Sequence, residues 1–175
     1  MATQLNLAPD EIASVERAAR VHDLGKLVID LSVLNKNEPL SAEEWELFRR
    51  HPADGANILT WFPEFNRSTA YVRHHHERWD GRGYPDGLSG ASIPFGARIL
   101  AVADSLDAMS SARPYRAPLT QEAILAEFTA YRGVQWDAAV VDALFALIDS
   151  GAIDLAGDGE STRVYDGLGT VIQNN

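Results

Sequence analysis

Apolar residues recur at helical spacing through most of the chain, and no stretch of the first 150 residues alternates in the manner of a strand. Pro9 opens the first helical stretch, in which Ile12, Val15, Ala19 and His22 fall three or four apart on one face and Gly25 follows closely enough to end it. His22 therefore points the way the apolar stripe points. A second helix is predicted from Ser41, where Ser41-Ala42-Glu43-Glu44 offers a capping box and Trp45, Phe48, Ile58 and Leu59 supply apolar faces. His51 and Pro52 stand in its middle, at a place for a kink.

After a break near Pro63, a third helix is predicted from Asn66 to Glu77. Trp79 to Pro94 holds four glycines and two prolines and reads as a loop. A fourth helix is expected from about Phe95 to Ser111, with Ile99, Val102, Leu106 and Met109 on its apolar side. Thr120 can cap a fifth, and Asp137 a sixth whose Val140, Val141, Leu144, Phe145 and Ile148 are apolar before Gly151 stops it. The expected fold class is all-α, a helical bundle of about six helices over residues 1–150. The tail, 151–175, is less regular, with a short extended piece near Arg163 to Tyr165.

Composition narrows the chemistry. At 175 residues and 46% apolar content the chain can bury a core as a single unit. It has no cysteine, which excludes a disulfide frame, a thiolate nucleophile and a cysteine-type zinc site. Any metal must be held by histidine and carboxylate. No apolar run is long enough to span a bilayer and the first residues lack a secretion-signal pattern, so a cytoplasmic protein without a membrane span is expected. A formal charge of −10 argues against duplex nucleic acid as a partner, whose binding is driven largely by lysine and arginine. A small anionic ligand stays compatible, since a local metal cluster can outweigh the global charge.

All five histidines lie between positions 22 and 76. The adjacent His22-Asp23 pair at a helix end can place an imidazole and a carboxylate on one metal, or let the aspartate bridge two. Taken alone such a pair is ordinarily a cap or surface feature, and a lone helix histidine such as His51 is usually structural. His74-His75-His76 fan over about 200° if helical, so that two of them reach one centre only where the helix is ending. Glu77 is a candidate acceptor for fixing a ligating imidazole's tautomer. Asp104 follows the apolar run Ile99 to Ala103, where a carboxylate needs a cation or donor to meet it; a metal and an arginine are both open, with Asp107 one turn on as a support. Gly81 and Gly83 permit positive φ and close backbone approach, which can present Tyr84 at a site edge. Arg113 and Arg116 place two guanidiniums where they could fork onto phosphate.

Together the blocks His22-Asp23-Leu24-Gly25-Lys26, His51-Pro52, His75-His76-Glu77-Arg78-Trp79-Asp80-Gly81-Arg82-Gly83-Tyr84-Pro85 and Ala103-Asp104 to Arg113-Pro114-Tyr115-Arg116 resemble the HD-GYP family, a branch of the HD phosphohydrolases. The match spans roughly residues 5–145 in the family's order and spacing. The resemblance implies a helical domain that holds two or three divalent ions, iron or manganese, and hydrolyses cyclic di-GMP to its linear dinucleotide or to GMP with a metal-activated water. By motif, His22, Asp23, His51, His75, His76 and Asp104 are implied as metal ligands, with Asp23 bridging and catalytic. Lys26 is implied as the catalytic cation that meets the scissile phosphate, and Gly83, Tyr84, Arg113 and Arg116 as the substrate-binding set.

The family's further ligand lies on a helix well before the His-Asp pair, upstream of Met1, so the resemblance implies a site short of its first ligand. Arg82 stands where small residues are frequent, and Gln135-Trp136-Asp137 replaces the usual Gln-Phe-Asp. Two rival expectations follow. One is a degenerate domain that binds a cyclic dinucleotide, or docks a signalling protein of the diguanylate-cyclase type through Gly83-Tyr84-Pro85, without turnover. The other is a phosphohydrolase acting on another nucleotide. A homodimer is compatible with either.

Overall fold

The structure is a computed structural model describing residues 1–36, 38–112 and 117–155 and the backbone of 163–164. Eight α-helices follow one another among the described residues: α1 (Pro9–Val21), α2 (Leu31–Leu34), α3 (Ala42–Arg49), α4 (His51–Leu59), α5 (Asn66–His74), α6 (Phe95–Ser110), α7 (Gln121–Tyr131) and α8 (Ala138–Asp149). Short 3-10 turns occupy Leu24–Val28, Pro63–Phe65 and Gly90–Ser92. An antiparallel ladder pairs β1 (Ile153–Asp154) with β2 (Arg163–Val164), where the extended piece of the tail was expected. No helix among the described residues is long and apolar enough to cross a membrane.

Three of these helices, α3, α7 and α8, begin at caps that the sequence offers. The Ser41 hydroxyl accepts from the Glu44 amide at 3.2 Å while the Glu44 carboxylate accepts from the Ser41 amide at 2.7 Å, completing the capping box of α3. Thr120 accepts from Ala123 N–H ahead of α7, and Asp137 from Ala139 N–H ahead of α8. The single helix expected from Ser41 to Leu59 is two, meeting at Arg50. Pro52 lies in the first turn of α4, where its missing N–H costs nothing, so it starts a helix instead of kinking one. The third predicted helix stops at His74, short of Glu77. There the chain turns: Glu77 N–H is donated to the His74 carbonyl and Tyr84 N–H to that of His76, so the loop folds straight back over the helix end.

The core is formed where α1, α4, α5 and α6 pack together, with Val15, Ala18, Leu59, Val72, Leu100 and Val102 buried among them. α7 and α8 pack on α6 and extend it through Ile124, Phe128, Val140 and Leu144. Trp136 lies against Phe128, ring centres 4.6 Å apart, and donates its indole N–H to Ser105 at 3.2 Å, so the tryptophan in the Gln-Trp-Asp block is both packed and satisfied. Ile153 and Leu155 pack against the same core.

Candidate metal centre

Three histidines enter the site in the same way. The Nδ1 atoms of His22, His51 and His75 lie 2.8, 2.7 and 2.6 Å from the carbonyls of Ala19, Phe48 and Val72, each three residues upstream in the last turn of α1, α3 or α5. A carbonyl only accepts, so Nδ1 carries the proton and Nε2 is left with its lone pair facing the site. The backbone thus performs the task that the sequence assigned to Glu77, whose Oε1 instead accepts the Asp86 N–H at 2.8 Å.

The Nε2 atoms converge on carboxylates. His51 Nε2 lies 3.4 Å from Asp23 Oδ1, and His22 Nε2 lies 3.5 Å from Asp23 Oδ2 and 3.6 Å from Asp104 Oδ1. Rings of His51, His75 and His76 stand 4.1–5.5 Å apart, centre to centre. Asp23 Oδ1, His51 Nε2 and His75 Nε2 are buried without a hydrogen-bond partner. Orphaned lone pairs at this depth are costly unless a cation collects them, and two overlapping donor groups, His51-His75-His76 and His22-Asp23-His75, are each compact enough to do so. All six ligands expected from the sequence are therefore in one place, and the imidazole and carboxylate set fits a divalent transition ion.

Electrostatics agree with that fit. Burial pushes His75 and His76 down, which keeps both imidazoles neutral and able to coordinate. At Asp23 burial works upward, but His51 and Lys26 outweigh it and hold the carboxyl well below the usual range. Burial is likewise opposed at Asp104, chiefly by His22, whose Nε2 lies 3.6 Å from its Oδ1, and that carboxyl is also lowered. Asp104 in turn raises His22. Lys26 Nζ sits 2.6 Å from Asp23 Oδ2 and 5.4 Å from the centre of the Phe48 ring.

A cleft of about 620 Å³ opens over these groups, lined by His22, Asp23, Lys26, Phe48, His76 and Asp104 among others. Tyr84, from the glycine loop, lies beside His76 of that lining, ring centres 4.9 Å apart, and burial pushes its phenol up to about 12, so it stays a hydrogen-bond donor. Gly81 takes the expected positive φ of 79°. Gly83 serves by closeness instead: a β-carbon there would stand 2.3 Å from Arg78 N. Arg113 and Arg116 lie outside the described residues. Asp107 lines the same cleft as Asp104, and its carboxylate accepts from Ser111. Phe48 was read from the sequence only as an apolar helix position, and Arg49 was not singled out. Phe48 packs on His51, and the Arg49 guanidinium lies 5.8 Å from the Tyr84 ring centre. Their position three and two residues before His51 was the available signal.

A stability consequence follows for the metal-free chain. An unfolded histidine titrates near pH 6.5. Below that value the unfolded chain takes up protons that the buried His75 and His76 refuse, so the unfolded state binds more protons and stability falls as pH drops. The opposite contribution of His22 is already complete below pH 6.5, and the two lowered aspartates remain charged there. The urea midpoint of chelator-treated protein is therefore lower at pH 5 than at pH 7, and restoring metal widens the gap, because the ion binds the deprotonated ligands and is held more weakly as pH falls. An equal or higher midpoint at pH 5 would contradict the buried, neutral placement of the pair.

Comparison with known proteins places this arrangement. The HD domain family model matches residues 1–140. Cyclic di-GMP phosphodiesterase response regulator RpfG of Xanthomonas campestris is 46% identical over 146 residues, covering 82% of this chain and 39% of that protein. The 3'3'-cGAMP-specific phosphodiesterase 2 of Vibrio cholerae is 37% identical, covering 79% of this chain and 27% of its own. The chain thus spans well under half the length of these relatives. Among solved structures, the HDG"Y"P protein Bd1817 from Bdellovibrio bacteriovorus superposes with a TM-score of 0.66 at 19% identity, covering 85% of this chain and 47% of that one, a likeness of fold. With the His22-Asp23 pair among these gathered imidazoles and carboxylates, the chain belongs to the HD domain family.

Proposed function

We propose that this chain hydrolyses a phosphodiester bond of a cyclic dinucleotide, cyclic di-GMP first among them, with iron or manganese as its metal. The observation that carries the reading is the convergence of Asp23 Oδ1, His51 Nε2 and His75 Nε2, buried and without hydrogen-bond partners, beside an open cleft. His22, Asp23, His51, His75, His76 and Asp104 hold two or three ions, with Asp23 touching both the His22 and the His51 side. Such ions lower the pKa of a bound water and offset charge on the phosphate. The chain's own groups do the rest. Lys26, now paired with Asp23, lies close enough to share its ammonium with a phosphate oxygen at the cleft. Tyr84 offers a ring for a base and a hydroxyl that remains protonated, and Gly83 lets its loop lie flat on the helix end. Arg113 and Arg116 complete the substrate set, within a catalytic unit over residues 1–150 working in the cytoplasm.

Reducing conditions, a measured full metal complement and chromatography of cyclic di-GMP digests test this directly. Linear dinucleotide or GMP is the expected product. None, with metal bound, would overturn the enzymatic reading and leave nucleotide binding without turnover.

A further inference from the structure

The first histidine of the His74-His75-His76 run stands apart from the groups around Asp23. Successive helical residues point about 100° apart, and His74 turns instead toward the loop that follows. Its Nδ1 lies 3.8 Å from Glu77 Oε1 and 3.5 Å from Asp86 Oδ2. We infer that His74, Glu77 and Asp86 form a further divalent-cation site, of the zinc type, which ties the end of α5 to the loop carrying Gly83 and Tyr84.

The Glu77 side chain has no solvent exposure. One oxygen accepts the Asp86 amide; the other, Oε2, is buried without a partner, and so is His74 Nδ1. A carboxylate so placed is expensive unless a cation meets it. Arg73 attracts it from a distance but gives it no hydrogen bond, forking instead onto both oxygens of Asp86, at 2.7 and 2.8 Å. That fork is what an outer partner gives to a ligating carboxylate, and each oxygen keeps a second lone pair. Donors about 2.0–2.2 Å from a tetrahedral ion stand about 3.3–3.6 Å from one another. The three donor atoms here all lie within 4.8 Å of one another, and the two distances to His74 are already near that spacing. One imidazole nitrogen and two carboxylate oxygens suit zinc and leave a position for water. Asp86, partly exposed, gives the ion a way in. No residue is shared with the groups around Asp23.

The test counts ions. Protein stripped with a chelator is reloaded with zinc, passed over a desalting column and assayed for bound zinc per chain. Asp86→Asn, an isosteric change at an exposed side chain, is expected to lower the count by one ion. It does so both in the otherwise unaltered chain and in the Asp23→Asn, Asp104→Asn chain, whose first centre is disabled. His74→Gln lowers the count by the same single ion, with unchanged far-ultraviolet circular dichroism reporting an intact fold. A count that Asp86→Asn leaves unchanged, or lowers only where Asp23 and Asp104 are intact, overturns the inference.

Discussion

Asp23→Asn is expected to lower the proposed metal-dependent hydrolysis of cyclic di-GMP by more than about 100-fold, the upper end of what losing even an outer partner of a metal ligand costs. One carboxylate faces His51 through Oδ1 and both His22 and Lys26 through Oδ2. An amide keeps the shape but loses the charge, and its NH2 group turns donors toward cations. Bound metal should fall with the rate, because the histidines on either side lose the anion they share. The fold should survive, since the side chain is 40% exposed and the change is isosteric. Initial rates and elemental analysis on the same preparation check both halves. Activity within tenfold of the parent, at full metal content, would remove Asp23 from the metal set.

Gly25→Ala should destabilise the chain by about 3 kcal/mol or more, beyond ordinary overpacking of a core. A β-carbon at Gly25 would stand 1.9 Å from the His51 carbonyl oxygen and 2.5 Å from Gly55 N. Both obstacles are backbone, so relief requires α4 to move off the turn that carries Asp23. The site is damaged by the same motion that damages the fold, because His51 rides on α4. A thermal midpoint lowered by roughly 6–12 °C is expected for a chain of this size. Gly133→Ala is the control: it meets no atom within 4 Å, and only its φ of +73° opposes it, a cost of about 1 kcal/mol. Equal midpoints for the two variants would show that the close approach at Gly25 is relieved cheaply.

The sequence made the fold legible where a local signal decides an outcome. Ser41, Thr120 and Asp137 each cap the helix they were expected to start, and the apolar periodicity of α6 and α8 reappears as buried Ile99, Val102, Val140 and Leu144. It was less informative where tertiary contact decides. Arg50 ends one helix and Pro52 starts another, yet the periodic pattern runs through both. α5 stops at His74 because the loop through Gly83 closes on it, a contact no window of sequence contains. The candidate ligands were legible because ligand chemistry restricts residue type, and the six residues lie together. What orients the ligands was not: backbone carbonyls of Ala19, Phe48 and Val72 carry no side-chain signature.

Those carbonyls mark helix ends, and helix ends carry charge. α1 terminates at His22 and α5 at His75, so each turns the negative pole of its dipole toward the centre, equivalent to roughly half an elementary charge. α3 ends there too, but α4 begins at the next residue and its opposite pole offsets it. Together with Asp23 and Asp104 these poles oppose an anion in the metal-free cleft, and Lys26 is the cation of its lining that works the other way. On the proposed reading, metal loading is expected to precede tight binding of the diester, because the ions reverse the sign of the field.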